Sequence, residues 1–423
     1  MIRFLLKGLW RDKSRSLLPV LVVATGVMLT VLMHTYVAGV MGDTIEMNAK
    51  FNTGHVKVMT RAYADNSNQL PNDLALTDVD ELVKNLAQEF PRMDWAPRIH
   101  FGGLVDVPDE TGETRSQGPA MGMALDLLSG KSGEAERLNL EKSLVKGSMP
   151  VNPGEVLLSN AFAEKLKANP GDEITLISST MNGSMSMQNF TVAGTVLFGS
   201  AALDRGTVIA DLEDIRTALD MYDAAGEIAG FFKTGYYEQD WAEEVVGKFN
   251  SKYENENDEF APAMVSLRDQ NMAMFVDMSK SISLIVTLVF MLAMSLVLWN
   301  AGLLGGLRRY GEIGVRLAMG EEKDHVYGSM IAESVMIGAV GSVAGTALGL
   351  SVSWLIQTYG IDISGMMKGA SVMMPSTIRT HIAPVDFYLG FIPGVLSTVI
   401  GTALSGIGIY QRKTAQLFKE LET

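Results

Sequence analysis

Four stretches of the chain, Leu17 to Met41, Ser281 to Leu304, Met330 to Ile356 and Phe387 to Tyr410, run almost without charge. A hydrocarbon core about 30 Å thick takes roughly 20 helical residues to cross, so each stretch predicts a transmembrane helix. Between the first two lies a polar block, Gly42 to Lys280, whose pattern changes repeatedly. GHVKVM (54 to 59) alternates as a strand does, and TDVDELVKNLAQEF (77 to 90) has helical spacing with Thr77 as the expected N-cap. EVLLSNAFAEKLKANPGDEITLIS (155 to 178) predicts strand, helix, turn and strand. TVIADLEDIRTALD (207 to 220) predicts strand then helix, and DWAEEVVGKF (240 to 249) a helix capped by Asp240 with Glu243 at its third position. Segments 108 to 118, 129 to 136 and 252 to 260 are expected to be polar connections. The alternation is too irregular for a doubly wound sheet. It predicts an α-helical membrane protein of four transmembrane helices, with a large α+β extracytoplasmic domain inserted between helices 1 and 2 that could divide into two lobes.

The expected layout is a leader (1–16), first span (17–41), external domain (42–280), second span (281–304), cytoplasmic loop (305–329), third span (330–356), external loop (357–386), fourth span (387–410) and tail (411–423). Composition agrees with such segregation: 423 residues, 47% hydrophobic, 19% charged, mean hydropathy +0.17 and net charge −14. The polar block holds 38 Asp and Glu against 20 Lys and Arg, a balance of −18, which leaves the rest of the chain at +4. Lys and Arg are retained on the cytoplasmic side. The leader (Arg3, Lys7, Arg11, Lys13, Arg15), the 305–329 loop (Arg308, Arg309, Arg316, Lys323) and the tail (Arg412, Lys413, Lys419) are basic, whereas the 357–386 loop has only Lys368 and Arg379. Both termini are therefore expected in the cytoplasm and the acidic domain outside. The first apolar run is longer than a cleaved signal sequence and lacks an A-x-A site, so it is read as an uncleaved anchor.

The chain has no Cys, which excludes disulfides and thiolate metal sites. It contains no G-x-x-x-x-G-K-[ST] phosphate loop, no H-E-x-x-H and no G-x-S-x-G. The five His residues (34, 55, 100, 325, 381) fall in separate segments, so no metal site is expected. Acidic pairs such as Asp109-Glu110 and Glu243-Glu244 are read as a solvated face. Catalytic residues and bound cofactors are expected to be absent, and no nucleic-acid partner is expected.

The segment RRYGEIGVRLAMG (308 to 320) stands between the second and third spans. On a helix, Arg308, Glu312 and Arg316 fall at i, i+4 and i+8, placing one carboxylate between two guanidiniums, with Arg309 beside them and Gly320 as a left-handed stop. Such a knob is what a soluble partner could push against. In the third span Gly341, Gly345 and Gly349 are four apart, and in the fourth so are Ser397, Gly401 and Ser405; small residues let helices approach closely, within one chain or between two. Glu333, just inside the third span, requires a partner or a wet crevice. The spacing of Arg3, Lys7 and Arg11, with Phe4, Leu5 and Trp10, predicts a leader lying along the membrane surface. Outside the spans, Met residues gather at 121–123, 181–187 and 272–278, and as Met366, Met367, Met373 and Met374. They suit core filling or irregular apolar clients, and Met366, Met367, Met373 and Met374 fall where an extracted lipid tail would emerge.

Residues 308 to 350, with E-I-G-x-x-R, a Glu-Ser pair heading a span and a Gly-rich span, resemble the signature segment of FtsX/MacB-type ABC transporter permeases. The order of one anchor, a large external domain and three further spans matches too. The segment 155 to 178, followed by FTVAGTV (190 to 196), is similar to the external domain of lipoprotein-releasing LolC/LolE-type members. Where the family pattern has Arg-Ala, this chain has Arg316-Leu317-Ala318. The resemblance implies a permease paired with a second permease chain, identical or paralogous, and with a separate cytoplasmic ATPase that binds ATP and Mg. It also implies lipoproteins or another amphiphile as cargo and a periplasmic acceptor or adaptor. The alternative is an FtsX-like permease that signals to an external partner such as a cell-wall hydrolase without transport.

Overall fold

The computed structural model describes residues 13–198, 201–253, 258–307, 310–362, 377–407 and 410. These divide into two compact units, one drawn from the described residues within 13–43, 277–362 and 377–410, the other from those within 44–276.

The membrane unit contains most of α1 (Lys13–Asn48), and much of its remainder comes from the helices that follow the external unit. Among the described residues, four helical stretches are long and apolar enough to cross a bilayer: Leu17–Thr53, Ala273–Leu304, Lys323–Tyr359 and Asp386–Gly406. They extend beyond the apolar runs because a helix continues for as long as its backbone bonds are satisfied, in lipid or in water. The fourth is less regular than its composition predicts. A helical turn at Asp386–Leu389 gives way to a π turn at Ile392–Ser397, where Pro393 cannot donate to the preceding turn, and regular helix resumes only at Thr398–Gly406.

The external unit is built on ten strands: β1 (Val56–Thr60), β2 (Met93–Pro108), β3 (Thr114–Leu125), β4 (Leu144–Gly147), β5 (Glu155–Ser159), β6 (Glu173–Ser179), β7 (Met185–Val196), β8 (Thr207–Asp211), β9 (Glu227–Phe232) and β10 (Pro262–Ser266). Pairings β2–β3, β3–β8, β8–β5, β5–β7, β7–β6 and β6–β2 close into a ring, a six-stranded barrel. Its interior takes alternate residues of each strand, Phe101 and Val105 of β2, Leu176 of β6 and Phe190 and Val192 of β7 among them. The first half of β2 leaves the ring and joins β9, β1 and β10 in an antiparallel sheet. Helices α2 (Val79–Glu89), α3 (Asn160–Leu166), α4 (Leu212–Ala218) and α5 (Gln239–Asn250) cover both, through Leu86, Phe162, Ile215 and Phe249.

Several local expectations need correction. Helix α2 is not capped by Thr77: Asp78 takes the N-cap position in a left-handed conformation (φ 55°) without capping through its side chain. Its first amides bond instead to Asp223, Val79 to the carbonyl and Asp80 to the carboxylate. Helix α5 opens at Gln239, so Asp240 lies inside the first turn, where its charge meets the positive helix end. Residues 114–118 belong to β3 rather than to a connection, because the hairpin turns at 109–113, where Asp109 accepts from the Thr111 and Glu113 amides. Segment 129–136 also holds a core residue. Glu134 is fully buried, 2.7 Å from Nε of the equally buried Arg98, and also pairs with Arg137.

Not every acid is solvated, then. Burial tends to push the Glu227 carboxyl up, but Lys57 at 2.6 Å and His100 at 3.2 Å outweigh it and hold its pKa down at about 2. His55, also buried, accepts the Phe232 amide proton at Nδ1 and therefore presents Nε2–H to Glu46 at 2.6 Å.

Candidate functional site

The described part of the loop between the second and third spans follows α6 (Ala273–Leu307) and comprises α7 (Tyr310–Ala318) and the start of α8 (Lys323–Tyr359). Helix α7 ends at Gly320 (φ 93°) with the Gly320 amide bonded to the Leu317 carbonyl and the Glu321 amide to the Arg316 carbonyl. This is the Schellman arrangement, and it reverses the chain within three residues. Side chains join the same two residues. Arg316 donates through Nε and Nη2 to the two oxygens of Glu321, both at 2.6 Å, and through Nη1 to Ser329 at 3.1 Å.

Here a carboxylate beyond the helix end joins the expected arginine. Arg316 takes its bidentate carboxylate from Glu321, five residues on and past the helix end, because the turn at Gly320 brings that side chain back alongside. Glu312, one turn before Arg316, is exposed. Bonds from Arg316 first and His325 second pull the Glu321 carboxyl down to about 2, and Glu321, with the charge of Glu333 adding to it, raises the Arg316 guanidinium. The acid within the third span thus faces a cation in this loop.

Ile313 is buried with Val326 and Met330 of α8, backed by Leu317 and Tyr327. Tyr327 donates to the Ala403 carbonyl in the fourth span, and Tyr410 donates to Asp324 at 2.6 Å. Helix α7 is therefore fastened on one face. Its other face leaves Glu312, Val315 and Met319 exposed at i, i+3 and i+7, Met319 by 75%.

The small residues of the spans are used within the chain. A Cβ on Gly341 would lie 2.6 Å from Val23, one on Gly345 2.4 Å from the Ala24 carbonyl oxygen, and one on Gly349 3.0 Å from Val31. All three face α1. Ser397 and Ser405 are buried, and Gly401 lies against the Trp299 backbone of α6. Near the start of the fourth span His34 of α1 meets Asp386 at 2.6 Å, Thr35 meets Ser353 at 2.8 Å, and Thr380 donates to the Ser353 carbonyl. This polar cluster was not foreseen, since His34 and Thr35 lie 352 and 318 residues from their partners. Arg308, Arg309, Met366, Met367, Met373, Met374 and the leader residues Arg3, Lys7 and Arg11 lie outside the described residues.

Residues 284–414 match the FtsX-like permease C-terminal family and residues 16–253 the MacB-like periplasmic core domain. The latter match covers more than half of the chain, which belongs to the FtsX/MacB family of ABC transporter permeases. Over 83 residues the chain is 29% identical to the macrolide export ATP-binding/permease protein MacB of Hyphomonas neptunium, a match spanning 20% of this chain and 13% of that protein. Among solved structures it is similar to the periplasmic region of MacB from Actinobacillus actinomycetemcomitans, at 12% identity and TM-score 0.36, covering 54% of this chain and 95% of the other. Membrane-crossing helices and a periplasmic-type domain make it an inner-membrane protein.

Proposed function

We propose that this chain is the membrane subunit of an ABC transporter that couples ATP hydrolysis, on a separate cytoplasmic ATPase holding ATP and Mg, to movement of its external domain. The cargo in this reading is a lipoprotein or another amphiphile. One observation carries it: α7 exposes Glu312, Val315 and Met319 while Ile313 and Leu317 pack another side against α8 and Arg316 and the Gly320 turn hold its end. A helix loose at the membrane surface would need no such fastening. A partner pressing on the exposed face would displace α8 with it, α8 shares a glycine seam with α1, and α1 leads through Ala49–Thr53 into β1.

Both termini and α7 belong in the cytoplasm in this reading, and the external unit in the periplasm, beside any acceptor or adaptor. A second permease chain completes this reading. The test is reconstitution in proteoliposomes with the cognate ATPase and a lipidated client. Glu312→Lys and Met319→Glu should abolish stimulation of hydrolysis while the protein stays folded. Unchanged stimulation would overturn the coupling role of α7. Hydrolysis without client release would overturn the cargo assignment and favour signalling to an external partner.

A further inference from the structure

The outer wall of the barrel is covered in one part and bare in another. Met123, Leu125, Leu157 and Ile209 lie beneath Leu138 and Leu140 of the 134–143 segment. One step along β3 on the same face, Met121 is 67% exposed. From there the strand register lays out three rows. Met121 pairs with Gly102, and Ser179 with Met185; Pro119, Leu104, Ile177 and Met187 form the next row; Gln117, Asp106, Thr175 and Asn189 the third. Four strands at about 4.8 Å spacing make this face about 14 Å wide. Met185 and Met187 are 73% and 63% exposed, and Gly102 has nothing within 4 Å of where a Cβ would stand. The result is a shallow apolar face flanked by flexible thioethers.

Its border is acidic. Asp106, in the row beside Leu104 and Ile177, has one carboxylate oxygen buried without a hydrogen-bond partner. Asp109, Glu110, Glu113 and Glu173 stand exposed at the same end, and Arg115, the one cation there on the register, is already engaged by Asp172 at 3.1 Å. We propose that this face of β3, β2, β6 and β7 is a docking surface for an apolar peptide segment of another protein that carries a Lys or Arg for Asp106. Methionines adapt to irregular apolar side chains, and a buried carboxylate oxygen lacking a donor is satisfied by a cation. An acyl chain brings no cation, and a flat wall would cover only one side of it. The proposal does not depend on what the transporter carries.

The test uses the full chain in zwitterionic nanodiscs without ATP, and anisotropy of a fluorescent amphipathic leucine–lysine peptide. Its leucine–glutamate counterpart and a neutral palmitoylated peptide are the competing occupants. Combined Met121→Gln, Met185→Gln and Met187→Gln should weaken leucine–lysine binding by about tenfold or more, and Asp106→Asn by several-fold, whereas Asp240→Asn on α5 should leave it unchanged. Loss of equal size with Asp240→Asn would show attraction to the acidic domain as a whole and overturn the proposal. So would equal binding of the glutamate peptide, preferential binding of the palmitoylated one, or indifference to the Met and Asp106 changes.

Discussion

In the external unit the largest wholly buried side chains include Arg98, Tyr63 and Phe162, whereas the seam between α8 and α1 is made where side chains are missing, at Gly341, Gly345 and Gly349. Water accounts for the difference. The external unit gains from removing apolar area from water, and that core is large enough to carry ion pairs such as Lys57–Glu227 within it. Lipid gives no such gain, so the membrane unit relies on close backbone approach and on a few polar contacts, His34–Asp386 and Thr35–Ser353 among them. Charge thus serves packing in one unit, and the absence of side chains serves it in the other.

That contrast can be broken most sharply at Glu227. Glu227→Gln leaves Lys57 buried against a neutral amide and should destabilise the external unit by about 3–5 kcal/mol. Urea unfolding followed by fluorescence of Trp95 and of Trp241, which stacks on Phe232 at 4.2 Å, reads that unit; an unchanged midpoint would show that the ion pair adds nothing. Acid should produce nearly the same loss in the native chain. Because Glu227 falls from an ordinary 4.5 to about 2 on folding, its stabilisation is complete above pH 4.5 and disappears as the pH drops toward 2. The full shift corresponds to roughly 3 kcal/mol, and Glu227→Gln should flatten stability through that window.

On the membrane side, Gly345→Leu forces a side chain against the Ala24 backbone and should cost about 1–3 kcal/mol in a detergent titration. Val343→Leu, on an exposed position of the same helix, should cost nothing measurable. The smallest effect is expected at the solvated clamp of α7. Glu321→Gln removes the bidentate acceptor of Arg316 and should speed hydrogen exchange across 313–321 without moving the global midpoint. Exchange that stays slow would mean that Ile313 and the Gly320 turn suffice to hold the helix.

The spans could be read from the chain because twenty apolar residues have one physical meaning, and β1, α3, β8 and α4 because their periodicity is local. The barrel could not. Its closure depends on β6 pairing with β2 some seventy residues earlier, and no period encodes that register. Glu134 looked like a loop acid because its partner Arg98 lies 36 residues away. At the candidate site, Gly320 and the arginine were found by spacing, but Glu321 was not foreseen as a partner of Arg316. The i, i+4 rule holds only within a helix, and Glu321 is reached across a turn. The methionine clusters were visible as composition, yet only the fold separates Met121, which is left bare, from Met123 on the same face, which Leu138 and Leu140 cover.

The ring of β2, β3, β8, β5, β7 and β6 has a last consequence. Each of its strands has neighbours on both sides over part of its length, so the ring itself leaves little open backbone for a foreign strand to extend. A closed ring is thereby guarded against templating the aggregation of unfolded polypeptides, even while it keeps a bare apolar wall.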